Sequence, residues 1–166
     1  MIYFKGFTVW RRRSMMMSAD KIDMIRSWMP ECRSGRILAA RLSAHMDSEL
    51  REVFGEFASG APLALFATGG YGRNELAPYS DIDIMFFTQD RSTAALTERI
   101  LYALWDRKLD ISHSFRATRD CIDEAFRDIR TRTSLLESRF VAGDESLFRE
   151  FRDNVYPAIA HRRQKE

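Results

Sequence analysis

Cysteine is scarce in this chain. Cys32 and Cys121 are the only two among 166 residues, and their separation matches neither a zinc site nor a disulfide framework. Two reduced thiols in a cytoplasmic protein are the expectation. Long apolar runs are missing as well: none approaches the roughly 18–20 residues that a membrane-spanning helix requires, which argues against a membrane partner. Charge of one sign is also missing, since 26 basic residues stand against 24 acidic ones and leave +2. So even a balance gives no bulk electrostatic case for nucleic-acid binding. Met1–Trp10 is mostly apolar and precedes Arg11, Arg12 and Arg13, the reverse of the order in a secretory signal. Residues 1–17 therefore read as an N-terminal arm, and 18–166 as a single domain.

What is present is the material of a folded core: 45% apolar and 30% charged residues. Ile22, Ile25 and Trp28 recur at helical spacing before Pro30. A longer helix is expected from about Ser34 to Ala58, stopped by Ser59-Gly60-Ala61-Pro62. Leu63–Ala67 is a continuous apolar run of strand length, and Thr68–Ser80 reads as a loop. A second strand follows at Asp81–Phe87, then a helix from about Thr93 to Arg107 and a third strand at Leu109–Phe115. Further helices are expected from a Thr118 cap, over about Thr133–Val141, and from an Asp144 cap toward Ala160. The fold class is α/β (α+β), a small mixed sheet packed against helices.

One segment carries chemistry. Asp81 and Asp83 are two apart on an expected strand, so both carboxylates share one face while Ile82 and Ile84 take the other. Alone, Asp-x-Asp reads as an exposed acidic strand start. Gly69, Gly70 and Gly72, directly after a buried strand, change that reading, because glycines let a backbone turn sharply and bring its amides close to phosphate. No Walker A lysine follows, and Glu75 breaks a dinucleotide-binding fingerprint. A glycine turn about a dozen residues before paired aspartates places a phosphate cradle beside a cation site, and magnesium is the hard ion that takes carboxylates with phosphate oxygens.

The run Gly69-Gly70-Tyr71-Gly72-Arg73-x-Glu75-Leu76-x-Pro78-x-Ser80-Asp81-Ile82-Asp83 closely resembles the signature of the nucleotidyltransferase domain of protein-PII uridylyltransferases, in the polymerase-beta-like nucleotidyltransferase superfamily. Leu104-Trp105-Asp106, Ile111–Arg116, Leu135-Leu136-Glu137-Ser138-Arg139 and Ala142-Gly143-Asp144 extend the resemblance, which covers about residues 35–150. It implies transfer of UMP from UTP to a tyrosine hydroxyl of the signalling protein PII, with release of pyrophosphate and two magnesium ions at work on the bound nucleotide. Gly69 and Gly70 match the family's phosphate-binding glycines, and Asp81 and Asp83 its metal-binding, catalytic aspartates.

The neighbours have two readings each. Arg73 is placed either to pair with a triphosphate oxygen or to brace the loop through Glu75, and Ser80 either to serve the phosphates or to orient Asp81. A third acid or base is sought on the next strand, where Asp110 and His113 are the candidates on opposite faces. Two other readings remain open: a related nucleotidyltransferase with a different acceptor, and a domain that binds nucleotide or partner without turnover.

Overall fold

Helix α1 (Ala19–Trp28) runs into a 3-10 turn that contains Pro30. The structure, a computed structural model, describes residues 19–160, and side chains from Ile22 onward. The expected arm, residues 1–17, lies outside the described residues. Ser34 caps α2 (Gly35–Ala58), its hydroxyl accepting the Ile37 N–H at 3.4 Å. Leu42, Met46, Leu50, Val53 and Phe54 form the buried stripe of α2.

Strand β1 (Ala64–Ala67) is wholly buried, as its unbroken apolar run requires. The expected loop after it starts instead with one helical turn, α3 (Gly69–Gly72). Strand β2 (Ile82–Phe87) returns antiparallel to β1, with Ala67 opposite Ile84 and Ala64 opposite Phe87. Asp90 accepts the Ser92 N–H and opens a short 3-10 turn that leads into α4 (Ala94–Asp106). The α4 crossover lets β3 (Ile111–Arg116) lie parallel to β2, since parallel neighbours cannot be joined by a tight turn.

Two expectations fail beyond β3. Thr118 does not cap α5 (Thr118–Arg127): the cap position is Ala117, and the Asp120 carboxylate accepts the Ala117 N–H at 2.9 Å. The helix expected over 133–141 is instead α6 (Ile129–Leu136), capped by Asp128, followed by a fourth strand, β4 (Arg139–Gly143). Phe140, Val141 and Ala142 satisfy either periodicity over so few residues. Pairing with β1 decides for strand, and a Cβ at Gly143 (φ 105°) would collide with the Leu63 carbonyl. Asp144 caps α7 (Glu145–Glu150), which continues through a π-helical turn (Phe151–Val155) into α8 (Tyr156–Ala160).

The sheet order is β3-β2-β1-β4, mixed and flanked by helices as expected, with four strands rather than three. Its two faces build two apolar clusters. Leu65, Ile82, Ile84, Phe86 and Ile111 pack with α2 and α4, whereas Phe66, Met85 and Phe87 pack with α5, α7 and the segment that follows α7. Phe151 from the π-helical turn anchors the second cluster, its ring 4.8 Å from Phe66 and 5.4 Å from Phe87. Cys121 belongs to that cluster, where burial pushes its thiol up to about 12 and leaves it inert.

Candidate active site

Strand alternation puts Asp83 on the same face as Met85 and Phe87, but at the end of β2 where the apolar cluster stops. The β1–β2 ladder extends one bond past Ala67, with the Thr68 N–H donating to the Asp83 carbonyl at 2.9 Å. The next residue, Gly69, therefore emerges beside the Asp83 side chain. Gly69 has φ 59°, and a Cβ there would stand 3.1 Å from Asp83 Oδ2. Glycine meets both demands, the left-handed backbone and the missing side chain.

The α3 turn is held tightly. Gly72 N–H donates to the Thr68 carbonyl at 2.9 Å and Glu75 N–H to the Gly70 carbonyl at 2.8 Å. A Cβ on Gly72 would run into the Glu137 carbonyl. Arg73 braces the turn rather than standing free: its guanidinium donates to Glu75 at 2.7 Å and to Glu137 at 2.5 Å. Tyr71 is 1% exposed and donates from its hydroxyl to Asp47 at 2.6 Å. Burial first, then the hydrogen bond to Asp47 and its charge, hold that phenol far above its ordinary value. Asp47, 7% exposed, also accepts two bonds from Arg139 at 2.7 and 2.9 Å. The Arg139 guanidinium lies 5.4 Å over the Tyr71 ring. Thus α2 and β4 clamp the glycine turn from beneath through side chains that no local motif announces.

The aspartates are unequal. Asp81 is exposed, immediately before β2. Asp83 is partly buried, and its carboxyl is raised above the ordinary value chiefly by desolvation and also by the Asp81 charge, against a hydrogen bond from Ser112 that lowers it. Ser112 is the register partner of Asp83 on β3, so its hydroxyl shares that face. Ser80 is exposed and its hydroxyl donates to the Ala77 carbonyl at 3.0 Å, closing its own turn. Asp110 precedes β3, with its carbonyl accepting the Ile82 N–H at 2.8 Å. His113 pairs with Ile84 and so faces the other side of the sheet, 6.1 Å from the Trp105 ring centroid. Burial lowers its pKa there. The structure does not bring His113 together with the aspartates.

The Asp81 charge that opposes ionisation of Asp83 suits a divalent cation, which reverses that repulsion. Both are hard oxygen donors of the kind magnesium prefers. Among the described residues no set of three or more His, Cys, Asp or Glu side chains gathers to hold a metal ion. A magnesium ion at Asp81 and Asp83 would therefore complete its shell with water and phosphate oxygens, which is its usual habit.

A cleft of about 350 Å³ lies at the turn, lined by Gly69, Ile129, Arg130, Thr133, Ser134 and Glu137. Its far wall is one face of α6, since 130, 133, 134 and 137 repeat at helical spacing. That polar stripe is visible in the sequence; what it faces is not.

Comparison with known proteins bears on this arrangement. The model of the nucleotidyltransferase domain family matches residues 47–134, from the Asp47 clamp through the glycine turn and both aspartates to the α6 wall. The chain belongs to the nucleotidyltransferase domain family. It is also similar to a bifunctional uridylyltransferase/uridylyl-removing enzyme of Burkholderia orbicola, 39% identical over 150 residues, covering 89% of this chain and 17% of the relative. The like-named protein of Rhodopseudomonas palustris is 40% identical over 131 residues, 71% of this chain and 14% of the relative. That of Nitrosospira multiformis is 39% identical over 140 residues, 79% and 16%. This nucleotidyltransferase domain spans about a sixth of the length of the curated relatives it matches. No helix among the described residues is long and apolar enough to cross a membrane.

Proposed function

We propose that this nucleotidyltransferase domain transfers a nucleoside monophosphate from a nucleoside triphosphate to a hydroxyl group, and specifically UMP from UTP to a tyrosine of a PII-type signalling protein in the cytoplasm. The observation that carries the reading is the approach of Asp83 to Gly69, with Asp81 near enough to act on the same carboxyl. A carboxylate pair beside an amide-rich turn suits a polyphosphate with its counter-cations. The names of the relatives favour uridylyl as the transferred group.

In this reading the α-phosphate lies against Asp81 and Asp83, and the rest of the polyphosphate runs along the backbone of Gly69 and Gly70. Asp81 and Asp83 would hold magnesium, which would supply neutralisation of the triphosphate charge. The acceptor oxygen forms a bond to the α-phosphorus as the bond from that phosphorus to the bridging oxygen of the β-phosphate breaks, and pyrophosphate departs with that oxygen. The acceptor's proton passes to a base, for which Asp110 stands on the Ser112 side of β3, while His113 is left to the core. Arg73 keeps the turn in shape through its two glutamates, and Ser80 keeps the turn before Asp81.

The test is incubation of the full chain with α-labelled UTP, magnesium and a PII-type protein. Label on the PII tyrosine from UTP, absent with the Asp81→Asn variant, supports the reading. Label on another molecule moves the acceptor, and nucleotide binding without transfer overturns the catalytic claim.

A further inference from the structure

The face of α6 that lines the cleft with Gly69 carries an arginine outside any ion pair among the described residues, with the Asp128 charge close enough to feel it. Arg130 is the cation among the lining residues, is exposed, and has no carboxylate within ion-pair distance among the described residues. Its neighbour in sequence, Asp128, is occupied as a helix cap: one oxygen accepts the Arg130 N–H at 3.1 Å, and the other accepts the Thr131 N–H at 3.0 Å and hydroxyl at 2.8 Å. The acid on the cleft wall, Glu137, is bound to Arg73. The contrast with Arg73 and Arg139 is plain, since both are held in pairs that shape the turn.

The hydroxyls beside Arg130 differ. Thr133 donates back to the Ile129 carbonyl at 2.9 Å, so its proton is committed. Ser134, one helical turn beyond Arg130 on the same face, has no partner among the described residues and keeps its proton to give. An unpaired guanidinium and a hydroxyl one helical turn apart, on residues that line the same cleft as Gly69, offer donors to an anion with several oxygens. Gly69 connects this cleft with the carboxylates, for it lines the cleft and a Cβ on it would stand 3.1 Å from Asp83 Oδ2.

We propose that the Arg130–Ser134 face of α6 is the second wall of the nucleotide site, and that it takes the terminal phosphates of the nucleoside triphosphate whose α-phosphate lies at Asp81 and Asp83. The inference rests on the nucleotidyl-transfer reading above and assigns it a direction: the polyphosphate crosses the glycine turn from β2 toward α6. Charge is matched end to end, with carboxylate-held cation at the reacting phosphate and arginine at the departing ones.

Equilibrium binding to the full chain, by calorimetry with magnesium present, tests this with UTP, UMP and inorganic tripolyphosphate as probes. Arg130→Gln is expected to weaken UTP and tripolyphosphate about 10-fold and to leave UMP unchanged, with Arg130→Lys recovering much of the loss. Ser134→Ala is expected to weaken UTP by a smaller factor in the same direction. Arg130 is exposed, so an unchanged melting temperature certifies the fold of each variant. A wild-type chain that binds UTP while Arg130→Gln binds it equally well overturns this proposal alone. Equal losses for UTP and UMP also overturn it, since they place Arg130 away from the terminal phosphates. A wild-type chain that binds no probe overturns the parent reading and this one together.

Discussion

The backbone of Gly69 and the carboxylate of Asp83 are in contact: the hydrogen on Gly69 that a side chain would replace points at Oδ2, leaving 3.1 Å to a Cβ in that place. A turn from one strand and an acid from its neighbour meet there because the β1–β2 ladder is continued by a single bond from Thr68.

Gly69→Ala tests that contact. The methyl enters at φ 59°, which costs roughly 1–2 kcal/mol for an L-residue, and it also displaces the Asp83 carboxylate by a few tenths of an ångström. Thermal melting should report a modest loss of stability. Turnover should fall about 10- to 100-fold, because small misplacements of reacting groups are costly. Near-normal turnover would separate Asp83 from the chemistry.

Asp83→Asn should separate function from stability. Desolvation and the Asp81 charge both oppose ionisation of Asp83 in the fold. Removing the charge therefore leaves stability in magnesium-free buffer equal to or above that of the wild type, while nucleotidyl transfer falls by about 10³-fold. Asp81→Asn should lose activity similarly. A variant that lost stability as steeply as activity would make Asp83 a structural acid.

The Asp47–Arg139 pair should be a strong stabiliser of the turn. Arg139→Leu strips two hydrogen bonds from a buried carboxylate and leaves it Tyr71 and, at 3.4 Å, Arg51. Urea denaturation should show a loss of about 2–4 kcal/mol. Tyr71→Phe removes one donor while both bonds from Arg139 remain, and should cost about 1 kcal/mol. Similar small losses in both variants would mean that Asp47 is solvated despite its burial.

His113 supplies a pH dependence. Burial lowers its pKa below the unfolded value, so below the ordinary histidine pKa, near 6.5, the unfolded chain binds more protons than the folded one. The His113 contribution to stability is thus full at neutral pH and declines as pH falls through that range. Replacement by Gln should flatten the decline between pH 7.5 and 5 in denaturation curves, and equal slopes for both chains would contradict the assignment.

Much of the candidate site's geometry is readable in one dimension because its parts are local. A continuous apolar run marks a buried strand, alternation puts Asp81 and Asp83 on one face, and the glycine-rich run that follows β1 marks the turn; each depends on neighbours within a few residues. The cap of α2 at Ser34 is equally local. Residues 139–143 were misread for the converse reason, as five residues with apolar members at consecutive positions fit helix and strand alike until β1 offers hydrogen bonds.

Contacts between distant residues were beyond that reach. Asp47 and Arg139 are 92 residues apart and Arg73 and Glu137 are 64 apart, so no periodicity links them. Which face of β3 joins the aspartates depended on register, and pairing of Asp83 with Ser112 sends His113 to the other side. That α6 lines a cleft together with Gly69 was set only by packing. Conformational preference and side-chain alternation are written into short stretches of chain, whereas register, facing surfaces and shared burial arise from the whole chain settling on one packing.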